Sequence, residues 1–201
     1  MTDDLTDDAS RPELPVRKWR PAMLWLFAGF AVFAYVFDQL TKLWVTSTMT
    51  EGERIPVLPP LLHWYYIRNS GAAFSIGENV TWIFTIVMAG VSVAILLQLR
   101  RLGSAWWALS LGLLLGGALG NLTDRLFREP SFAMGHVVDF IQVPNFAIFN
   151  IADSAVVSGV VIICLLTLRG VGMDGTRQVA APKSAKPANP APGSSGETVG
   201  E

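Results

Sequence analysis

Two aspartates stand in apolar surroundings in the second half of the chain. Asp139 lies in Val137-Val138-Asp139-Phe140, and Asp153 lies about seven residues inside a long apolar stretch. A carboxylate at membrane depth is costly and normally marks a functional site. Two such groups at one face of a membrane could share one proton and hydrolyse a peptide bond, as aspartic proteases do. The pair is therefore the first candidate for chemistry.

The elements that must position these acids are membrane helices. The chain of 201 residues is 51% hydrophobic and only 15% charged, too apolar for an ordinary soluble domain. The apolar residues form four blocks, each close to the ~20 residues that a helix needs to cross a bilayer. We expect an all-α membrane protein with four transmembrane helices, at residues 22–45, 80–99, 104–122 and 146–168.

The distribution of Lys and Arg predicts the orientation of these helices. Ten basic residues lie before the first helix, between the second and third, or after the fourth, and four lie in the other two loops. Both termini should therefore be cytoplasmic, with the outer loops at residues 46–79 and 123–145. The first of these loops contains the aromatic run Leu61-Leu62-His63-Trp64-Tyr65-Tyr66-Ile67-Arg68, which favours a short extracytoplasmic β-sheet at the membrane surface.

The two ends of the chain differ from the middle. Residues 1–20 and 171–201 are predicted to be disordered cytoplasmic tails, because their ends are rich in Pro, Asp, Ala and Gly and have little to bury. The working domain is then residues 21–170. The net charge of −1 leaves no basic stripe for nucleic acid. The single cysteine, Cys164, is expected to be a small buried hydrophobe in the fourth helix.

Polar residues inside the helices gather towards one end of the predicted bundle. Asp38 and Lys42 are spaced for an ion pair one helical turn apart. A stripe of small residues recurs every fourth position along the third helix and predicts close helix packing. This stripe comprises Ser104, Ala108, Gly112, Gly116 and Gly120. The stripe brings Asn121, Asp124 and Arg125, at the end of that helix, into the bundle, where Asp124 and Arg125 would form a polar clasp.

Five motifs appear in an order that resembles one family. They are Asp38-Gln39-Leu40-Thr41-Lys42, Arg68-Asn69-Ser70-Gly71-Ala72-Ala73-Phe74, Gly116-Gly117-Ala118-Leu119-Gly120-Asn121-Leu122-Thr123-Asp124-Arg125, Gly135-His136-Val137-Val138-Asp139-Phe140 and Phe149-Asn150-Ile151-Ala152-Asp153-Ser154. Together they resemble lipoprotein signal peptidase, also called signal peptidase II, over residues 22–168. One departure is the stretch from Leu126 to Met134, which is longer than the family pattern.

The resemblance implies a function and a set of site residues. The catalytic aspartates would be Asp139 and Asp153, in an enzyme of the bacterial cytoplasmic membrane with its site near the outer face. It would remove the signal peptide from diacylglyceryl-modified prolipoproteins, without metal or cofactor, and would bind membrane lipid and globomycin-like peptide inhibitors. Residues that would bind substrate or orient the site are Asn69, Gly71, Asn121, Arg125 and Asn150. Residues with a structural polar role would be Asp38, Lys42 and Asp124.

Two other classes of protein also use acids inside membrane helices. A small transporter would place ionisable residues in both halves of the bundle or contain an internal repeat, and neither pattern is visible. A non-catalytic assembly factor would use the acids only as structural contacts. On physical grounds alone, Asn121 and Asn150 are as well suited to interhelical hydrogen bonding as to a site.

Overall fold

The computed structural model describes residues 21–71 and 81–177 and contains four long helices. Each of the four is long and apolar enough to cross a membrane, which confirms the prediction of four long apolar helices. The helices are α1 (Pro21–Thr48), α2 (Thr81–Gln98, followed by a 3₁₀ turn at Leu99–Arg101), α3 (Ala105–Phe127) and α4 (Ile151–Leu168). Residues 1–20, 178–201 and 72–80 lie outside the described residues, and with them most of both predicted tails and Ala72 to Phe74 of the second motif.

Helix α3 lies at the centre of the bundle and contacts the other three helices. Its glycines explain this position. A side chain on Gly112 or Gly116 would collide with the backbone of Phe27 or Ala31 on α1, and one on Gly117 would collide with Ala152 on α4. The small-residue stripe therefore packs helices together, as the sequence predicted.

Three strands form an antiparallel sheet in the order β1-β2-β3: β1 (Arg54–Leu58), β2 (Leu62–Asn69) and β3 (Val137–Gln142). The strand β2 confirms the interpretation of the aromatic run, whereas β3 was not predicted. Residues Ile67 and Asp139 are paired across β2 and β3. Val45 of α1 and Met49, just after that helix, pack against Tyr66, Val138 and Phe140, so the sheet packs against the end of α1.

Two predicted helix boundaries are wrong by about one turn. Helix α3 continues to Phe127 instead of ending at residue 122, because its last turn contains buried Asp124 and Arg125, which have partners in the fold. Helix α4 begins at Ile151 instead of residue 146. The residues before it do not enter the helix because Phe149 forms a β-bridge with Ile141.

Two further expectations about the C-terminal part are also wrong. Residues 171–177, assigned to a disordered tail, form a turn closed by a bridge between Val171 and Arg177. This C-terminal turn is held because the carbonyl of Met173 accepts hydrogen bonds from the backbone N–H groups of Gly103 and Ser104. Cys164 is exposed rather than buried, because it lies on a face of α4 that points away from the bundle.

The packing of α1 against α3 can be tested at one glycine. We expect Gly116→Ala to lower the free energy of unfolding by ~1–3 kcal/mol, because overpacking forces the neighbouring backbone to move. The measurement is thermal unfolding of the purified protein in detergent. Gly29→Ala in α1 is the matched control, since nothing lies within 4 Å of the added methyl group. Equal stability of the two variants would contradict the packing described.

Candidate active site

The start of α4 fixes the position of Asp153. Asn150 caps the helix, and its side-chain oxygen accepts a hydrogen bond of 2.9 Å from the backbone N–H of Asp153. In return, Oδ2 of Asp153 accepts a hydrogen bond of 3.1 Å from the backbone N–H of Asn150. This reciprocal capping box places Asp153 in the first turn of the helix. The prediction that Asp153 lies well inside the fourth helix was wrong, because that helix begins later.

Asp139 lies on β3 and is almost fully buried. Its Oδ2 accepts a hydrogen bond of 2.8 Å from Nδ2 of Asn69, at the end of the neighbouring strand. Its Oδ1 accepts one of 2.7 Å from Nδ2 of Asn150. Two asparagines from different elements thus hold both oxygens of this carboxyl.

Asn150 joins the two acids into one cluster. Its side chain donates to Asp139, and its backbone N–H donates to Asp153. Asn121 on α3 completes the arrangement, because its Nδ2 donates to Oδ1 of Asp153 over 2.7 Å. Asn121 and Asn150 therefore form hydrogen bonds between elements and also contact the acids, so the two interpretations of these residues are compatible.

Burial raises the pKa of Asp139 to about 7, and the nearby charge of Asp153 adds to this effect. The hydrogen bonds from Asn69 and Asn150 act in the opposite direction because they favour the ionised carboxylate, but they do not outweigh burial. At neutral pH the carboxyl of Asp139 is therefore close to half-protonated. A neutral and an ionised carboxyl can then stand together in one site.

A buried cation lies beneath these acids. Nζ of Lys42 is 2.9 Å from Oδ2 of Asp38 and 2.8 Å from Oδ2 of Asp124. The first contact confirms the ion pair predicted from the spacing. Lys42 also donates to Oδ1 of Asn121 over 2.8 Å. Because this oxygen is held by the ammonium group, the amide nitrogen of Asn121 is the end that faces Asp153.

The contacts of Asp124 differ from the predicted clasp with Arg125. Its Oδ1 pairs with Nε of Arg128 at 2.6 Å, and its Oδ2 pairs with Lys42. Oδ2 also accepts a bond of 3.3 Å from the backbone N–H of Val138, next to Asp139. Successive residues on a helix point about 100° apart, so Asp124 and Arg125 reach different neighbours.

Arg125 and Gly71 form the wall of the site nearest β2. The guanidinium of Arg125 lies over the ring of Phe84, 5.2 Å from its centroid, and donates to the carbonyl of Ser70 over 3.3 Å. Gly71 has a φ of +97° and no room for a side chain beside Phe84. Its backbone N–H donates to Oδ1 of Asn69 over 2.7 Å, which orients that amide towards Asp139.

The structure thus assembles the predicted residues around the acids in two ways. Asn69, Asn121 and Asn150 donate directly to a carboxylate, whereas Gly71 and Arg125 hold the loop that orients Asn69. Sequence reasoning missed the carbonyl of Ser70, which also accepts from Thr81; its only signal was its place between Asn69 and Gly71. Among the described residues, no group of three or more His, Cys, Asp or Glu side chains could hold a metal ion.

Comparison with known proteins gives a consistent result. The family model described as Signal peptidase (SPase) II matches residues 30–169. A lipoprotein signal peptidase of Leifsonia xyli subsp. xyli is 51% identical over 154 residues, which cover 76% of this chain and 71% of that protein. One from Streptomyces coelicolor is 48% identical over 165 residues, covering 82% and 79%. One from Mycobacterium tuberculosis is 39% identical over 169 residues, covering 84% of each.

Solved structures show the same similarity. Two structures of a bacterial membrane enzyme, determined by the in meso method at 2.3 Å and 1.9 Å resolution, each have a TM-score of 0.63 and 32% identity to this chain. They cover 75% of this chain, and the matched regions are 89% and 95% of the respective solved chains.

The buried charge cluster generates a prediction about stability. Lys42→Met should lower the free energy of unfolding by ~3–5 kcal/mol, because it leaves the buried carboxylate of Asp38 without its cation. Asp38→Asn should lower it by less, because Lys42 keeps its contact with Asp124. The double variant should lose less than the sum of the two. In the Lys42→Met variant Asp124 keeps its contact with Arg128, so the carboxylate that loses its cation is that of Asp38.

The measurement is a double-mutant cycle from unfolding curves in detergent. Arg68 and Glu129 provide the control pair, with a contact of 2.9 Å at the surface; an exposed pair contributes ~0–1 kcal/mol. Strictly additive losses for Asp38 and Lys42 would show that the two are not coupled.

Proposed function

Since the chain belongs to the signal peptidase II family, we propose that it cleaves bacterial prolipoproteins immediately before a diacylglyceryl-modified cysteine, using Asp139 and Asp153. The family makes it an aspartic-type peptidase of a bacterial membrane. The observation that carries the assignment of the dyad is the contact of Asn150 with both carboxyls at one end of the bundle.

The chemistry requires one proton shared between two unlike carboxyls. Asp139 has its pKa raised to about 7 and is the proton donor to the carbonyl oxygen of the scissile bond. Asp153 accepts two N–H hydrogen bonds, from Asn121 and from the backbone of Asn150, which suits an acceptor-only carboxylate. Asp153 is then the base that takes a proton from the attacking water.

Hydrolysis proceeds by addition of water and then cleavage of the carbon–nitrogen bond. The water oxygen bonds to the carbonyl carbon, its proton moves to Asp153, and the proton of Asp139 moves to the carbonyl oxygen. When the carbon–nitrogen bond breaks, Asp153 gives its proton to the leaving amine of the cysteine, and Asp139 recovers a proton from the collapsing diol. The signal peptide leaves with a new carboxyl group, and the lipidated cysteine becomes the amino terminus.

The lipid bilayer itself helps to position the substrate at the site. The signal helix and both acyl chains are lipid-soluble, so the scissile bond reaches the site sideways, at the height of the sheet. With the basic residues on the cytoplasmic side, both termini are cytoplasmic and the dyad lies near the outer face. A globomycin-like peptide would inhibit by occupying the space beside the dyad.

A transporter and a non-catalytic assembly factor were the two alternatives to a peptidase. Because the chain belongs to a peptidase family, the protein is an enzyme. The burial pattern agrees, because in the described helices the buried charged side chains are Asp38, Lys42, Asp124 and Arg125, all at the end of the bundle next to the sheet. Such a distribution does not form a path across the membrane.

We expect Asp139→Asn and Asp153→Asn each to lose nearly all turnover while remaining folded, because an amide keeps the shape of the side chain but cannot transfer the proton. The double variant should be scarcely worse than either single variant, since the two groups act as one unit. The measurement is a gel-shift assay of the purified protein with a diacylglyceryl-modified prolipoprotein, with and without globomycin.

Asp124→Asn is the matched control, because it neutralises a buried carboxyl outside the proposed dyad at the same end of the bundle. It should lower stability or yield and retain turnover in the protein that folds, since its contacts are with Lys42 and Arg128. A folded and inactive Asp124→Asn beside an active Asp139→Asn would overturn the assignment of the dyad.

The raised pKa of Asp139 gives a pH dependence with a definite sign. We expect kcat/KM to fall above a pH of about 7, where Asp139 loses the proton that it must donate. Stability should follow the same direction. Between about pH 4, the ordinary carboxyl value, and about pH 7, the folded protein binds a proton that the unfolded chain releases, so the free energy of unfolding falls as pH rises.

The measurements are a pH–rate profile and unfolding curves across this range. Asp139→Asn should remove the part of the pH dependence of the free energy of unfolding that comes from Asp139. A wild-type rate that stays level to pH 9 would contradict the role of Asp139 as the proton donor.

A further inference from the structure

A cleft lies at the end of the bundle opposite the two acids. Its volume is about 450 Å³, and it is bounded by α3, α4 and the C-terminal turn of residues 171–177. Its lining is apolar at Trp106, Ile162 and Leu165 and basic at Arg169 and Arg177. We call it the basal cleft. The catalytic chemistry does not use it.

The basal cleft is built by specific contacts of the fold. The indole Nε1 of Trp107 donates a hydrogen bond of 3.0 Å to the carbonyl of Val171. The carbonyl of Met173 accepts from Gly103 and Ser104, at the start of α3. These bonds fix the C-terminal turn, and with it Arg177, against the bundle.

The positive charge at this end of the bundle favours binding of an anion. The side chains of Arg169 and Arg177 are exposed, and within residues 21–71 and 81–177 neither takes part in an ion pair. The segments 99–104 and 169–177 together hold four arginines and one acid, Asp174. A guanidinium group binds phosphate through paired hydrogen bonds, so two of them facing one cleft suit a phosphate group.

The apolar lining and the position of the cleft narrow the choice of anion. Arg169 directly follows the last residue of α4, so it lies where a membrane helix leaves the hydrocarbon and the lipid headgroups begin. A free phosphate would leave Trp106, Ile162 and Leu165 uncovered, whereas an acyl chain would bury them. Basic pockets between membrane helices on the cytoplasmic side bind anionic headgroups in this way.

From these observations we infer that the basal cleft binds an anionic phospholipid, with its phosphate at Arg169 and Arg177 and an acyl chain along Trp106, Ile162 and Leu165. The site is independent of the dyad. If the basal cleft bound no phospholipid, the proposed peptidase function would be unaffected.

The test is native mass spectrometry of the full chain in detergent, titrated separately with phosphatidylglycerol, phosphatidylcholine and glycerol phosphate. Arg169→Gln and Arg177→Gln should each weaken phosphatidylglycerol binding about tenfold, which equals about 1.4 kcal/mol. Arg100→Gln is the matched control, because it removes the same charge from the same end without lining the cleft; it should change binding less than about threefold. Trp106→Ala should weaken phosphatidylglycerol binding and leave glycerol phosphate unaffected.

Several outcomes would overturn the inference. Wild-type affinity in both Arg169→Gln and Arg177→Gln, with thermal unfolding showing that they are folded, would show that the cleft does not hold the lipid. An equal loss in Arg100→Gln would show a diffuse attraction to surface charge. Glycerol phosphate binding as tightly as phosphatidylglycerol would show a site for a soluble phosphate, and equal binding of phosphatidylcholine would show that the net charge of the lipid has no part.

Discussion

The rest of the structure depends on the burial of one ammonium group. Taking a charge such as that of Lys42 out of water costs several kcal/mol unless all of its donors are satisfied. Its three acceptors are Asp38, Asn121 and Asp124, which matches the three N–H donors of a lysine. The acceptors have further partners, because Asp38 also accepts from the backbone of Ala152 and Asp124 from that of Val138. One cation thereby ties α1 and α3 to the start of α4 and to β3, the two elements that carry the candidate dyad.

Capping and chemistry use the same groups at the start of α4. The box between Asn150 and Asp153 is a local device that starts a helix where the chain leaves the sheet. Its Asn150 has a spare amide N–H, and that group holds Asp139. The position of one acid is thus set by a helix terminus and that of the other by a strand, with a single asparagine between them. Both acids therefore lie on regular elements, Asp139 on β3 and Asp153 in the first turn of α4.

The two ends of the bundle have opposite characters, and this follows from where charge is tolerated in a membrane. Beside the sheet, buried charges are paired or held by hydrogen bonds, and the described contacts leave only Nε of Arg125 without a partner among the charged groups there. At the other end, the side chains of Arg169 and Arg177 are exposed, where anionic headgroups can reach them. The glycines of α3 make the buried arrangement beside the sheet possible, since close helix contact lets Asp38 lie against Gly120.

Sequence alone was enough to predict four membrane helices, a strand close to Leu62–Asn69, the ion pair of Asp38 with Lys42 and the family, because length, hydropathy, i,i+4 spacing and the order of motifs can be read along the chain. It did not determine where α4 begins or that Asp139 lies on a strand. Both depend on pairing between distant segments: Phe149 with Ile141, and β3 with β2. The partners of Asp124, the exposure of Cys164 and the docked C-terminal turn were decided by tertiary structure for the same reason. Which neighbour a side chain meets depends on how helices rotate against each other, and no spacing along one helix contains that information.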